Sequence, residues 1–311
     1  MSTPTDASPV TRDTSSILLP GPWEHRFVAA NGARFHVAEL GEGPLVLLVH
    51  GFPQFWWTWR HQLVGLAEAG YRAVAVDLRG YGASDKPPQG YDARTLAADL
   101  ASVVRCLGET RAIIVGHGIG GWLAWSMPTL YPEHTRAIAV LGSAHPVVLT
   151  ALRRPTRALG SRRLIGAHNR VMAEHKLLRP GRIDELLRGW SCGRSGWPSQ
   201  QDCDIYSAAM SLPFTAHSVL ESYRWIAHTP LRMDGRRYLR RLRAPIQLPV
   251  IQLHGAADAA VSPQLAAQSA AFVTGPYQWT GIPDAGHFPQ EEAAASVTHT
   301  LRVWLSGLPA V

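Results

Sequence analysis

Ala112-Ile113-Ile114-Val115-Gly116-His117-Gly118-Ile119-Gly120-Gly121 decides how this chain folds. The apolar half reads as a strand buried on both faces, and the glycine-rich half as a sharp turn entering a helix. That is the setting of the G-x-nucleophile-x-G elbow, where flanking glycines relieve crowding around a strained residue aimed into a pocket. Here the flanking glycines are Gly116 and Gly120, so the reactive position falls on Gly118, which has no side chain. The chain thus carries the turn of a nucleophilic site without the group such a turn presents.

The flanking sequence supplies the rest of an open α/β sheet. Glu24 to Ala29 and Arg34 to Glu39 alternate in polarity around Asn31-Gly32, a two-residue hairpin signal. Continuous apolar runs at Pro44 to His50, Arg72 to Leu78 and Arg136 to Leu141 predict further buried strands. Helical periodicity at Trp56 to Ala69, Thr95 to Gly108 and Gly121 to Leu130 separates them. From about His145 to Pro245 no buried-strand run occurs, only arginine-rich helical stretches broken by Pro, Gly and Trp. Strand-like Pro249 to His254, helical Pro263 to Val273, a short strand at Tyr277 to Thr280 and helical Gln290 to Trp304 follow. The pattern predicts a disordered tail (1–20), an α/β core (21–144 and 246–311) with a mostly parallel sheet, and a helical cap (145–245) inserted after the sixth strand.

Composition narrows the function classes. The 311 residues, 46% of them hydrophobic, suffice for one large domain with an insertion. The net charge of +7 is uneven: residues 145–245 hold 18 basic and 7 acidic side chains, or +11, which leaves −4 for the remainder. A basic cap on a mildly acidic body reads as a solvated helical surface, with weak attraction to an anionic membrane surface as the secondary reading. No nucleic-acid motif accompanies the arginines, so nucleic acid is not an expected partner. Cys106, Cys192 and Cys203 show no metal-ligand spacing, and their odd number argues against a disulfide framework. Neither a signal peptide nor a membrane span is evident, so the expected location is cytoplasmic. No metal or organic cofactor is implied.

Ligands of open α/β sheets bind at the carboxyl ends of the strands, and four turns there stand out. In His50-Gly51-Phe52-Pro53, the Phe52 amide is placed to form half of an oxyanion hole, with the Ile119 amide beyond the elbow as the other half. His50 braces that loop and is also a candidate for substrate contact. Asp258 follows a strand closely in Leu253-His254-Gly255-Ala256-Ala257-Asp258, and His287 lies in Asp284-Ala285-Gly286-His287-Phe288-Pro289. Elbow, acid, then histidine is the chain order of a hydrolase triad, with Asp258 fixing the tautomer of His287. Asp284 reads as a turn residue and His117 as structural.

Taken together, these motifs resemble the α/β-hydrolase fold superfamily and, within it, the epoxide-hydrolase-like branch. The resemblance spans nearly the whole chain after residue 20. It rests on His50-Gly51-Phe52-Pro53-Gln54-Phe55-Trp56, Asp77-Leu78-Arg79-Gly80-Tyr81-Gly82, the elbow, Gly255-Ala256-Ala257-Asp258 and Gly286-His287-Phe288. It implies an elbow Asp that attacks an epoxide, a His–Asp pair that hydrolyses the resulting ester, and two cap tyrosines that donate to the epoxide oxygen. One tyrosine maps onto Tyr223 in Glu221-Ser222-Tyr223-Arg224-Trp225, whereas His168 to Lys176 and its surroundings contain no second one. Trp56 matches a family pocket residue.

Glycine forms no covalent intermediate, so the two-step route is closed at residue 118. Two readings follow. In one, His287 activates a water beside Gly118 to hydrolyse a small apolar epoxide or ester, under the Phe52 and Ile119 amides and with Tyr223 donating. In the other, the chain is a catalytically inactive member that binds a small ligand or regulates.

Overall fold

The computed structural model describes residues 13–151 and 170–309. Strands β1 (Glu24–Ala30), β2 (Ala33–Leu40), β3 (Leu45–Val49) and β4 (Arg72–Val76) precede the elbow strand β5 (Ala112–His117). Strands β6 (Thr135–Leu141), β7 (Val250–Gly255) and β8 (Tyr277–Ile282) follow it. They form one eight-stranded sheet in the order β1-β2-β4-β3-β5-β6-β7-β8. The β1–β2 and β2–β4 pairings are antiparallel, and every pairing from β4 to β8 is parallel. Asn31 and Gly32 both have positive φ, as a two-residue hairpin turn matched to strand twist requires. β3 and β5 are buried along their whole length because helices cover both faces, which is why they read as unbroken apolar runs.

Helices α1 (Arg60–Glu68), α2 (Ala93–Cys106) and α3 (Ile119–Leu130) pack on the sheet, with α12 (Ala294–Ser306) beside α1. Three expected helices are divided. A 3-10 turn at Trp56–Trp59 precedes α1, and α10 (Pro263–Ala267) passes into a 3-10 segment at Gln268–Phe272. The last breaks at Ala293, between α11 (Pro289–Glu292) and α12. The tail expected over residues 1–20 is corrected in part. Residues 1–12 lie outside the described residues, but Thr14–Ile17 forms a 3-10 turn with Ile17 buried against the core. Among the described residues, no helix is long and apolar enough to cross a membrane.

After β6 the chain leaves the sheet through α4 (Pro146–Ala151), continues through α5 (Arg170–Leu177), α6 (Arg182–Trp190), α7 (Gln200–Met210), α8 (Thr215–His228) and α9 (Met233–Arg241), and returns at β7. A buried polar seam fastens this cap to the core. Arg60 of α1 bonds Glu291 at 2.7 Å and reaches Asp202 of α7 at 3.4 Å, while the Tyr206 hydroxyl of α7 donates to Glu291. Burial raises the Glu291 carboxyl to about 7, outweighing the attraction of Arg60.

A carboxyl whose pKa is higher folded than unfolded holds its proton longer in the folded state, so stability falls as pH rises between the two values. Thermal or urea unfolding is therefore expected to show a loss of about 3 kcal/mol from this group between roughly pH 4.5 and 7. Glu291→Gln should flatten that slope, and a variant with the wild-type slope would contradict the assignment.

Candidate active site

The loops after β3, β5, β7 and β8 meet at one end of the sheet, beneath the cap. The elbow is possible because its flanking residues are small. A Cβ on Gly116 would lie 2.2 Å from the Gly120 carbonyl oxygen, and one on Gly120 would lie 2.2 Å from that of Val49. Between them Gly118 adopts φ 54° and ψ −115°, a conformation that strains any residue with a side chain. Space is nevertheless available there. A Cβ on Gly118 would meet only Gly51 Cα at 3.5 Å and His287 Nε2 at 3.8 Å.

Facing this turn is a buried histidine–carboxylate pair. His287 Nδ1 lies 3.0 Å from Asp258 Oδ2. Burial alone would raise the Asp258 pKa, but His287 and His254 outweigh it and hold the group well below the usual carboxylate range. An ionised Asp258 only accepts, so Nδ1 of His287 bears the proton and Nε2 presents its lone pair toward Gly118. Asp258 Oδ1 accepts from the Ala260 and Val261 amides at 2.8 and 2.9 Å. His254 Nε2 lies 2.8 Å from the Val261 carbonyl, which can only accept, so this nitrogen is protonated and also reaches Asp258 Oδ2 at 3.1 Å.

The loop that carries His287 is held from several directions. Glu292 accepts from the amides on either side of the histidine, Gly286 at 3.0 Å and Phe288 at 3.0 Å, and from cap residue Cys192 at 2.6 Å. The His287 amide donates to the Trp190 carbonyl at 2.8 Å, and its own carbonyl accepts from His117 Nε2 at 2.7 Å. Burial drives the His117 pKa well down, so this ring is neutral.

A cavity opens over the elbow, walled in part by Gly118, Ile119, Trp122, Trp190, Tyr223 and His287. The Trp190 ring stands edge-on to His287 at 5.4 Å, and Tyr223 edge-on to Phe52 at 5.6 Å. Burial raises the Tyr223 phenol pKa strongly, so it faces the cavity as a neutral hydroxyl. The Phe52 and Ile119 amides donate to no acceptor among the described residues, though both residues are almost fully buried.

Asp258, His287, Gly118, Phe52, Ile119 and Tyr223 are thus brought to one place. Two residues assigned to substrate contact are not. His50 is fully buried, accepting from the Leu78 amide at Nε2 and donating from Nδ1 to the Gly51 carbonyl, so it braces the Phe52 loop from behind. The Trp56 indole points away from the cavity, donating to the Ile17 carbonyl and packing edge-on against Trp23. Its amide donates to Asp77. Asp284 is exposed and pairs with Arg194. The other two cap tyrosines do not replace the missing one, because Tyr206 is committed to Glu291 and Tyr238 to Ser126. Sequence reasoning missed Trp190 and Trp122 on the wall, His254 on the acid and Glu292 behind the histidine. For Glu292 the only sequence signal is a carboxylate in the first turn of a helix, which ordinarily reads as a favourable dipole partner.

With this geometry in place, comparison with known proteins defines the class. Residues 44–294 match the alpha/beta hydrolase fold family, and the chain belongs to it. It is 31% identical to epoxide hydrolase A of Mycobacterium tuberculosis, over 91% of this chain and 97% of that protein. A stretch covering 40% of the chain is 42% identical to bifunctional epoxide hydrolase 2 of Sus scrofa but spans only 23% of that protein. The structure is similar to an epoxide hydrolase from an endophytic Streptomyces, with TM-score 0.79 and 29% identity over 93% of this chain and 97% of the other. Its relatives therefore place it among the epoxide-hydrolase-like α/β hydrolases.

Glu292→Gln puts an NH₂ group where one of three amide donors now finds an oxygen. A loss of about 2–3 kcal/mol in chemical denaturation is expected, because a buried donor is left facing a donor. An unchanged midpoint would show that Glu292 does not hold the His287 loop.

Proposed function

We propose that the protein hydrolyses a small apolar epoxide or ester with a water activated by His287, without a covalent enzyme intermediate. The observation that carries this reading is the unpartnered Nε2 of His287 facing open space above Gly118. A water placed there transfers a proton to Nε2 as its oxygen attacks, and Asp258 stabilises the imidazolium that forms. For an ester, the charge on the tetrahedral oxygen falls to the Phe52 and Ile119 amides. For an epoxide, the opening oxygen accepts the Tyr223 proton. The aromatic walls favour a neutral, apolar substrate.

The second reading, an inactive member that keeps the cavity as a ligand-binding or regulatory site, is favoured by the absence of any side chain at residue 118. Turnover separates the two. On a panel of small apolar epoxides and esters at high enzyme concentration, wild type should turn over at least one member and His287→Ala none. Turnover equal in both proteins, or absent from wild type, sinks the catalytic reading.

Gly118→Asp adds a side chain where the contacts of its Cβ are ordinary. In a Gly118→Asp, His287→Ala double variant, which cannot hydrolyse it, the expected result is an alkyl-enzyme ester visible by intact mass, at a stability cost of about 1–3 kcal/mol from the positive φ. A folded variant that never acquires the adduct mass would show that the cavity is no longer shaped for covalent chemistry.

A further inference from the structure

The space left at residue 118 has the features of a site for a small anion. The Phe52 and Ile119 amides are buried and donate to nothing among the described residues. Ile119 opens the twelve-residue helix α3, whose N-terminal partial positive charge adds to these donors. Nε2 of His287, a residue 5% exposed, points at the same spot without a partner. Nε2 carries a lone pair, ready to take a proton in the hydrolytic step, whereas the two amides are buried donors, and such donors ordinarily have an acceptor. The wall supplies no carboxylate: it is aromatic, aliphatic or glycine apart from Ser143, Tyr223 and His287, and the Asp258 carboxylate lies on the far side of the imidazole.

We propose that this space binds a free carboxylate of formate or acetate size, which serves as a dissociable nucleophile in place of the absent side chain. The proposal rests on the His287-centred site described above and replaces the direct attack of water when the anion is present. One carboxylate oxygen attacks an epoxide carbon, the ring C–O bond breaks, and the resulting alkoxide takes the Tyr223 proton. The product of this step is a hydroxyalkyl ester. Water then loses a proton to His287 Nε2 and attacks the acyl carbon of that ester, with the oxyanion on the Phe52 and Ile119 amides. The acyl C–O bond breaks, the departing diol oxygen takes the proton from His287, and the released carboxylic acid returns its proton to Tyr223. The sum is epoxide plus water to diol, with the carboxylate regenerated. The external anion lacks the effective concentration of a tethered group, so it acts at millimolar or higher concentration rather than stoichiometrically.

The test uses wild type and Gly118→Ala, styrene oxide as substrate, and sodium formate against sodium chloride at matched ionic strength. Formate should raise diol formation saturably, by about tenfold or more. With ¹⁸O-labelled formate in ordinary water, label should appear in the diol. In wild type without substrate, formate should also shift the Phe52 and Ile119 amide resonances in ¹⁵N spectra. The alanine methyl occupies the space the carboxylate needs, so stimulation and label transfer should vanish in that variant while its melting transition shows it folded. If Gly118→Ala does not fold, the label transfer and amide shifts in wild type decide the matter alone. Formate-independent turnover with solvent oxygen in the diol overturns this proposal and leaves the direct-water reading standing. Amide shifts without labelled diol overturn the nucleophilic role. No turnover under either salt sinks both.

Discussion

Asp258 is the constraint on which the site depends. Its two oxygens are reached by two backbone amides and two imidazoles, at distances from 2.8 to 3.1 Å, in a buried position. That saturation keeps a buried carboxylate ionised, and an ionised Asp258 fixes which nitrogen of His287 carries the proton. The free lone pair of His287 then has one direction to face, toward Gly118. Glu292 and His117 hold the surrounding backbone so that this direction is kept, and Glu292 and Trp190 tie it to the cap. The base is thus positioned by ionic and hydrogen-bonding groups that lie outside the cavity it serves.

With glycine at residue 118 the elbow carries neither a side chain nor the strain one would bring. The turn holds residue 118 at φ 54°, which any side chain would find costly. Under the proposed function, the amide donors and the histidine then act on a nucleophile that comes from outside the chain. In the proposed mechanism the site is electrostatically prepared and lacks only the attacking group. Supplying that group from solvent, as hydroxide equivalent or as carboxylate, is the chemistry left open to it.

Much of this was legible in the chain itself. Parallel strands buried on both faces leave continuous apolar runs, and the elbow glycines are dictated by contacts near 2.2 Å, so β3, β5 and the turn could be read residue by residue. Asp258 and His287 can be placed at one edge of the sheet from the sequence because each lies in the turn after a strand. Side-chain direction was not legible. Trp56 sits in a loop next to the site, yet its ring turns into the Trp23 cluster, a choice made by packing with residues more than thirty positions away. Glu292 and His254 escaped notice because their partners are backbone groups and a carboxylate brought together only by the fold. A single turn buried against the core leaves no periodic pattern, so the sequence around Ile17 reads as tail.

The central claim is that His287 addresses a nucleophile in the space above Gly118. A high-resolution crystal structure with an unreactive amide analogue of an ester substrate, in carboxylate-free buffer, tests it most directly. The account predicts an ordered water within hydrogen-bond distance of His287 Nε2, lying over Gly118 and facing the analogue's carbonyl carbon. An analogue packed against Gly118 itself, with no water between it and His287, would contradict it.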